Sequence, residues 1–586
     1  KLESNALTFV IAVNAERCGA TGLFLQDAAV RAGLVTQREL APLAPDGFVL
    51  RATGGRIALA GPRDSGALYG GMRLLERLGY HYYAPKCQSW PDDPPAVLAD
   101  FELTDQPAFT FRTPHTWQLG GSIRDEMMGD PRAAANPELF GPTSNSNLFW
   151  HHTAAYLVPT GLYQKEHPEY YAQYPDGQRM PAGTSDHSVH LCMSNPDVRR
   201  IAKKRLREWM RMQPDRRVFW VHPGDGTQWC QCDTCKALDE RTGNYSDRLL
   251  DFTNELARAV EKEFPRNQLA IAGYCGTDVP PETQRPHKNV LMFYCPYWGV
   301  GLSEVHPLTH PSNALALEQF QGWKVAAPNN LAIFDYNMGN APTWDAMAAK
   351  VQWAAEQGVQ GFHLCGRPDC FQDLFTYVVA RLLWDPTQDP EALKRSFVRA
   401  YYGPAAPDVM AYLDLVKARL ALGFPRGLHE GHMPAGYYAD GFKDRALAAL
   451  DKALAAAEGN PTLTAAVQKE RDLFLKDYRA ATRERPPRKP APAQKIDGGL
   501  RLPGAAFVGG REKTNWGWMA PEKRPFVTFV YSPQADFPSE TAATFELDKA
   551  PGKAVLRMEG NGGDKDLSPV TRIRVLVNDT VVHDGP

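Results

Sequence analysis

The feature that most constrains this chain is a long alternation of short apolar strands and amphipathic helices between about residues 106 and 385. Val198, Ile201, Ala202, Leu206, Trp209 and Met210 recur at helical spacing, and the run Val218-Phe-Trp-Val221 follows. A helix over Leu249–Val260 leads to strands over Leu269–Tyr274 and Val290–Tyr294. A helix over Ala314–Trp323 then leads to a strand over Leu331–Tyr336. A helix over Asp345–Gln357 precedes Gly361-Phe-His-Leu364, and a last one reaches Trp384. Apolar strands separated by helices form a parallel sheet covered on its faces. This many units predicts an α/β chain built on a TIM-like (β/α)8 barrel spanning 106–385.

The flanks read differently. Residues 1–105 carry strand, turn and helix in the order of a small α/β domain: Gly47-Phe-Val-Leu50, Arg56-Ile-Ala-Leu-Ala60, the turn Gly61 to Gly66, then a helix from Ala67 to Leu78. Residues 386–482 are Ala-rich and helical, over Arg445–Glu458 and Thr462–Thr482 among others. Residues 483–495 form a stiff proline-rich linker. Beyond them, 496–586 alternate like the strands of a β-sandwich accessory module, with Trp516 and Trp518 as candidate sugar contacts. Ile573-Arg-Val-Leu-Val577 and Thr580-Val-Val582 read as a hairpin close to the end, as in a truncated module. No basic-then-apolar leader precedes the strand-like run Leu7 to Val13, so a signal peptide is expected to be absent or already removed.

Composition closes off several classes. A net charge of −2 gives no basic face for nucleic acid. No apolar run approaches the length of a membrane span. With 13 Trp, 22 Tyr and 26 Phe, the chain can bury a large core.

Barrel enzymes carry their chemistry at the C-terminal ends of strands, so the polar groups there are the candidates. The successive ends offer His222-Pro-Gly-Asp225, Tyr274 with Asp278, Tyr294-Cys-Pro-Tyr-Trp298, Asp335-Tyr336, and His363 with Arg367 and Asp369. Arg112, His115, Trp117 and Trp150-His-His152 stand early in the barrel. Aromatic faces stack on sugar rings, and paired carboxylates supply the acid and base of glycosidic cleavage. There is no phosphate-cradling glycine loop and no nucleophile elbow.

Asp225 and Asp335 are therefore the candidate catalytic carboxylates, with His152, His222, Tyr274, Trp298, Tyr336 and His363 shaping a sugar subsite. Each has a plainer reading. Asp225 in its Gly-Asp-Gly turn suits an Asx-turn, Asp335 suits a buried ion pair, and either histidine at a strand end suits a satisfied core group. No cofactor is needed for such chemistry. Cys230-Gln-Cys232-Asp-Thr-Cys235, with Cys192, supplies four soft ligands for a structural zinc, or else a disulfide or packed thiols.

These residues also carry a resemblance. His167-Pro-Glu-Tyr-Tyr171, Leu191-Cys-Met-Ser-Asn-Pro196, Gly224-Asp225, the cysteine cluster, Asp335-Tyr336, Leu383-Trp-Asp-Pro386 and Tyr401-Tyr-Gly403 occur in that order. In this the chain resembles the bacterial family catalogued as domain of unknown function 4838 and grouped with glycoside hydrolase family 163. The first 105 residues resemble the α/β domain that precedes the barrel in α-glucuronidases and β-hexosaminidases, through Ala60 to Gly66, Tyr69-Gly70 and Asp105-Gln-Pro107. The resemblance implies a secreted, periplasmic or cell-surface endo-β-N-acetylglucosaminidase degrading N-glycans by a retaining, substrate-assisted route. It also implies a glycan as the partner. His222-Pro-Gly-Asp225 is similar to the His-x-Gly-Gly-Asp-Glu signature of family 20 hexosaminidases, but Gly226 stands where their acidic Glu would. Gly361-Phe-His-Leu-Cys-Gly366 likewise carries His363 where its relatives have an acidic residue. Two other readings remain: an exo-acting α-glucuronidase-like hydrolase gripping a uronate through Arg112 and Arg367, and a glycan-binding protein on a decayed barrel.

Overall fold

The structure is a computed structural model. It describes residues 22–483 apart from 86, 91–98, 116–151, 215–216, 298–301, 338–340, 367, 425 and 427–431. Farther on it describes the backbone of 494–496, 499–501, 573–577 and 580–585.

The N-terminal unit contains β1 (Gly22–Leu25), β2 (Phe48–Thr53), β3 (Arg56–Ala60), helix α1 (Asp64–Arg77), a hairpin of β4 (His81–Ala84) and β5 (Cys87–Ser89), and β6 (Phe101–Asp105). Its sheet runs β1-β3-β2-β6, with β1 parallel to β3 and β2 antiparallel to both neighbours. Phe48, Leu50, Ile57 and Leu59 face α1, where Tyr69, Met72 and Leu75 meet them. Gly70 makes that approach possible, because a Cβ there would lie 2.2 Å from Leu59 Cδ1. Val49, Ala58 and Ala60 alternate to the other face against Ala29, Val35 and Leu40.

The central sheet has six strands: β7 (Phe111–His115), β8 (Val218–Trp220), β9 (Gln268–Gly273), β10 (Val290–Tyr294), β11 (Leu331–Tyr336) and β12 (Gly361–Cys365). All pairings are parallel, in the order β7-β12-β11-β10-β9-β8. It is thus a mixed α/β fold with a curled half-barrel sheet; among the described residues six parallel strands are present rather than eight. Connecting helices include α2 (Pro196–Met212), α3 (Asp233–Thr242), α4 (Tyr245–Val260), α5 (Ala314–Ala326), α6 (Trp344–Glu356) and α7 (Gln372–Trp384). Their starts are legible in the sequence. Asn195 accepts from Val198 N–H with Pro196 at the first helical position, and Asn244 forms a capping box with Asp247.

Side-chain alternation gives the sheet two faces. Phe219, Ile271, Met292, Ile333 and Phe362 lie with the core beneath the helices. Trp220, Ala272, Phe293, Ala332 and Phe334 fill the concave side, where Trp220 stacks on Phe293 at 5.0 Å. The concave side is a packed floor, not a channel.

Two units expected as separate domains share a buried seam. Trp384, at the end of α7, enters the N-terminal core 4.7 Å from the Tyr69 ring and donates through Nε1 to Asp105 at 3.2 Å. Arg112 of β7 is 0% exposed and binds Asp46 at 3.0 Å. That pairing corrects the uronate role read for Arg112, since its guanidinium points away from the sheet's C-terminal end. Arg367 lies outside the described residues.

After the sheet come helices over Pro390–Tyr402, Ala406–Leu420, Phe442–Ala456 and Pro461–Thr482. The expected hairpin near the end is present as Ile573–Val577 against Thr580–Gly585. Most of the linker and the rest of the accessory module, Trp516 and Trp518 included, lie outside the described residues. Among the described residues no helix is long and apolar enough to cross a membrane.

Candidate active site

At the C-terminal end of the sheet the floor gives way to a half-buried rim. The concave residues rise in layers, Ala270 then Ala272 along β9 with Tyr274 just past its end, and Phe334 then Tyr336 along β11. Tyr274 lies 6.4 Å from the Tyr336 ring and 4.7 Å from Tyr297. Tyr297 is itself held through its hydroxyl to Asp278 at 3.3 Å. Asp278 also accepts from Gln319 and from Gly276 N–H, both at 2.9 Å, so it braces this wall from behind.

Asp225 stands over this rim on the loop following β8. Two contacts between loops place it: its N–H donates to His187 O at 2.7 Å, and Gly224 N–H donates to Val189 O at 2.7 Å. Gly224 is required there, because a Cβ would come within 2.4 Å of the Ser188 backbone. Oδ1 of Asp225 accepts from the Tyr274 hydroxyl at 3.0 Å, and Oδ2 lies 3.6 Å from His187 Nε2, ion-pair rather than hydrogen-bond range. The Asp225 side chain is 14% exposed and that of His187 30%, so both are reachable from solvent. Burial works to raise the Asp225 pKa, yet His187, His152 and the Tyr274 hydroxyl outweigh it and hold the carboxyl below its ordinary value. Asp225 is therefore an anion at neutral pH.

His152 completes this wall. It bridges to His222 in parallel fashion, and its Nδ1 lies 2.8 Å from Pro223 O, which makes Nδ1–H the donor and turns Nε2 inward. Its ring packs edge-on against His187 at 4.5 Å and lies 6.2 Å from Tyr274. Burial pushes its pKa down to about 4, so it is neutral. His222 lies one layer lower, 2% exposed, its Nδ1 accepting from Ala272 N–H at 3.2 Å.

The structure brings Asp225, His152, Tyr274 and Tyr336 together, with His222 just beneath. Two other candidates are elsewhere. His363 pairs in register with Phe334 and sits in the floor, 1% exposed and 4.3 Å from the Phe334 ring. Asp335 turns to the opposite face, under the helices, where its Oδ1 accepts from Lys350 of α6 at 3.2 Å; both side chains are 2% exposed. Trp298, His115, Trp117 and Trp150 lie outside the residues whose side chains are described. His187 was not among the sequence candidates. It lies in a loop without periodicity, and only its contact with Asp225 distinguishes it.

Among the described residues, two groups bring possible metal donors within 4.8 Å of one another: Cys192, Cys230, Cys232 and Cys235, and the trio His152, His187 and Asp225.

A family model described as a domain of unknown function, DUF4838, matches residues 82–414. The chain belongs to that family. The match takes in the β4–β5 hairpin, the whole six-stranded sheet and the rim of this DUF4838 protein. No curated protein matches it. Among solved structures, CpGH84B is similar at 12% identity and a TM-score of 0.38, over 77% of this chain and 79% of that one. A beta-N-acetylhexosaminidase from Bacteroides fragilis is similar at 12% identity and a TM-score of 0.35, over 63% and 88%. A chitobiase from Flavobacterium johnsoniae is similar at 13% identity and a TM-score of 0.35, over 74% and 79%.

Proposed function

We propose that this DUF4838 protein is a glycoside hydrolase whose site is the rim around Asp225, on what would be a (β/α)8 barrel. One observation carries the reading: a partly exposed carboxylate held by the Tyr274 hydroxyl and beside His187, with the Tyr274 and Tyr336 rings 6.4 Å apart next to it, beyond the C-terminal end of a parallel sheet. Tyrosine faces suit the apolar faces of pyranose rings, and an anion beside the anomeric centre stabilises the positive charge of an oxocarbenium-like transition state.

An ionised Asp225 is a poor proton donor. Its suited task is to accept the N–H of a 2-acetamido group, aiming the amide oxygen at the anomeric carbon and stabilising the cationic ring that forms. The enzyme then needs no nucleophile of its own, and the anomeric configuration is retained. Asp335 cannot supply the leaving-group proton from beneath the helices. His187 stands 3.6 Å from Asp225 with a side chain 30% exposed, and we assign it that proton. The substrate fitting this scheme is a β-linked N-acetylglucosamine unit, with endo action on N-glycans as the specific form.

The test uses N-glycans, chitobiosides and glucuronoxylan, with products read by mass spectrometry. Cleavage restricted to 2-acetamido sugars supports the reading, and release of glucuronic acid overturns it. His187→Asn should slow natural linkages far more than aryl glycosides with good leaving groups, which need no acid. An equal loss on both removes His187 from that role.

A second reading rests on the donor trio. His152 Nε2, His187 and Asp225 match the two-histidine, one-carboxylate set that holds a divalent ion. Activity lost on treatment with a chelator and restored by one added divalent metal would favour it.

A further inference from the structure

The mouth is built from two loops that touch through backbone hydrogen bonds, and behind them the same loops meet again through cysteines. One loop carries His187 and, five residues on, Cys192; the other carries Asp225 and, five residues on, Cys230, then Cys232 and Cys235. All four thiols are at most 8% exposed, and with Ala172 they form a cluster of their own. We infer that Cys192, Cys230, Cys232 and Cys235 hold one structural zinc ion that staples the His187 loop to the Asp225 loop.

The spacing distinguishes a metal from a disulfide. A tetrahedral zinc with Zn–S bonds of about 2.3 Å puts its sulfurs about 3.8 Å apart. Cys192 Sγ lies 3.6 Å from Cys232 Sγ and 3.8 Å from Cys235 Sγ, and all four sulfurs lie within 4.8 Å of one another. A disulfide needs about 2.0 Å. A disulfide would also satisfy only two sulfurs at a time, whereas here all four converge on one centre.

The surroundings suit thiolates. Gln173 N–H points at Cys230 Sγ at 3.3 Å, the Arg179 guanidinium reaches it at 3.8 Å, and the Ser194 hydroxyl lies 3.1 Å from Cys235 Sγ. Arg248, 1% exposed, donates to Cys230 O at 2.8 Å and brings a second cation against the cluster. Cys232 is the N-cap of α3 and Cys235 lies in its first turn, where the helix dipole favours negative charge. Four thiolates leave no open position for a substrate, so the ion is structural. The inference stands whether or not the protein cleaves glycans.

The test is elemental analysis of untagged, full-length protein purified without chelator. About one zinc per chain is expected, surviving dialysis and released by a mercurial as four thiols react. Cobalt substitution should show thiolate-to-metal charge transfer and the visible bands of a tetrahedral site. Cys232→Ser and Cys235→Ser should lose the metal, while Cys87→Ser and Asp225→Asn keep it. Should the cluster variants not fold, the wild-type stoichiometry and the cobalt spectrum decide. Metal-free protein, iron in place of zinc, disulfides among the four cysteines by intact mass, or a metal lost in Asp225→Asn would each overturn the inference.

Discussion

Asp225 and Asp335 stand at the C-terminal ends of strands in the same sheet, and they end up in opposite environments. Asp335 occupies a helix-facing position of β11, in step with Leu331 and Ile333, and is sealed against Lys350. Asp225 lies beyond β8 on a loop pinned to a second loop, above the concave face and in reach of solvent. The carboxylate inside a strand, on its helix-facing side, is sealed from any ligand, while the one carried past a strand end over the concave face can meet one. A strand end is therefore only half an address; the face is the other half.

Removing each charge should sharpen that contrast. Asp225→Asn is expected to cut turnover by roughly 10³-fold, in the range lost when a group stabilising transition-state charge is removed, with little change in Tm. Near-normal activity on a cleaved glycan would dissolve the distinction. Asp335→Asn should do the reverse. It strands the Lys350 cation in an apolar layer, at a cost of about 3–5 kcal/mol, while the protein that remains folded keeps its turnover number. Replacing both partners, Asp335→Leu with Lys350→Met, should recover most of that stability in denaturant melts. Tyr274→Phe removes one hydrogen bond to the Asp225 carboxylate and should lower kcat/KM by about 10-fold, without the collapse expected of Asp225→Asn.

The smallest effect concerns pH. Burial pushes His190, behind the mouth, down to about 4, whereas in the unfolded chain it titrates near 6.5. Between these values the unfolded chain binds a proton that the folded one refuses, so the His190 contribution to stability falls as pH drops from about 6.5 to about 4 and is constant above. His190→Gln should reduce that slope by up to one proton, as read from Tm against pH.

The element map was largely open in the sequence. Val290–Tyr294 and Leu331–Tyr336 match their expected bounds to the residue, and Ala314–Trp323 falls short of its helix by three. Period and capping residues act locally, so they can be read locally. The face of Asp335 could not be. In Leu-Ala-Ile-Phe-Asp-Tyr both faces are apolar, as in any strand buried on two sides, and the alternation that would reveal the pointing direction is missing. His187 escaped for a different reason: it reaches Asp225 through a contact between loops 38 positions apart, which no local pattern encodes. The cysteine quartet was visible as a spacing, but the convergence of Cys192 on the other three depends on those same two loops meeting.

The Arg112–Asp46 pair has a practical consequence for anyone dissecting the molecule. A fragment starting at residue 106 would keep the guanidinium and discard its counter-ion, along with the pocket that shelters the Trp384 indole. Such a piece would expose a greasy, positively charged scar and should precipitate or melt early. The unit carrying Asp46, Tyr69 and Asp105 is better regarded as the foundation on which the sheet is laid than as a detachable appendage, and expression trials should retain it.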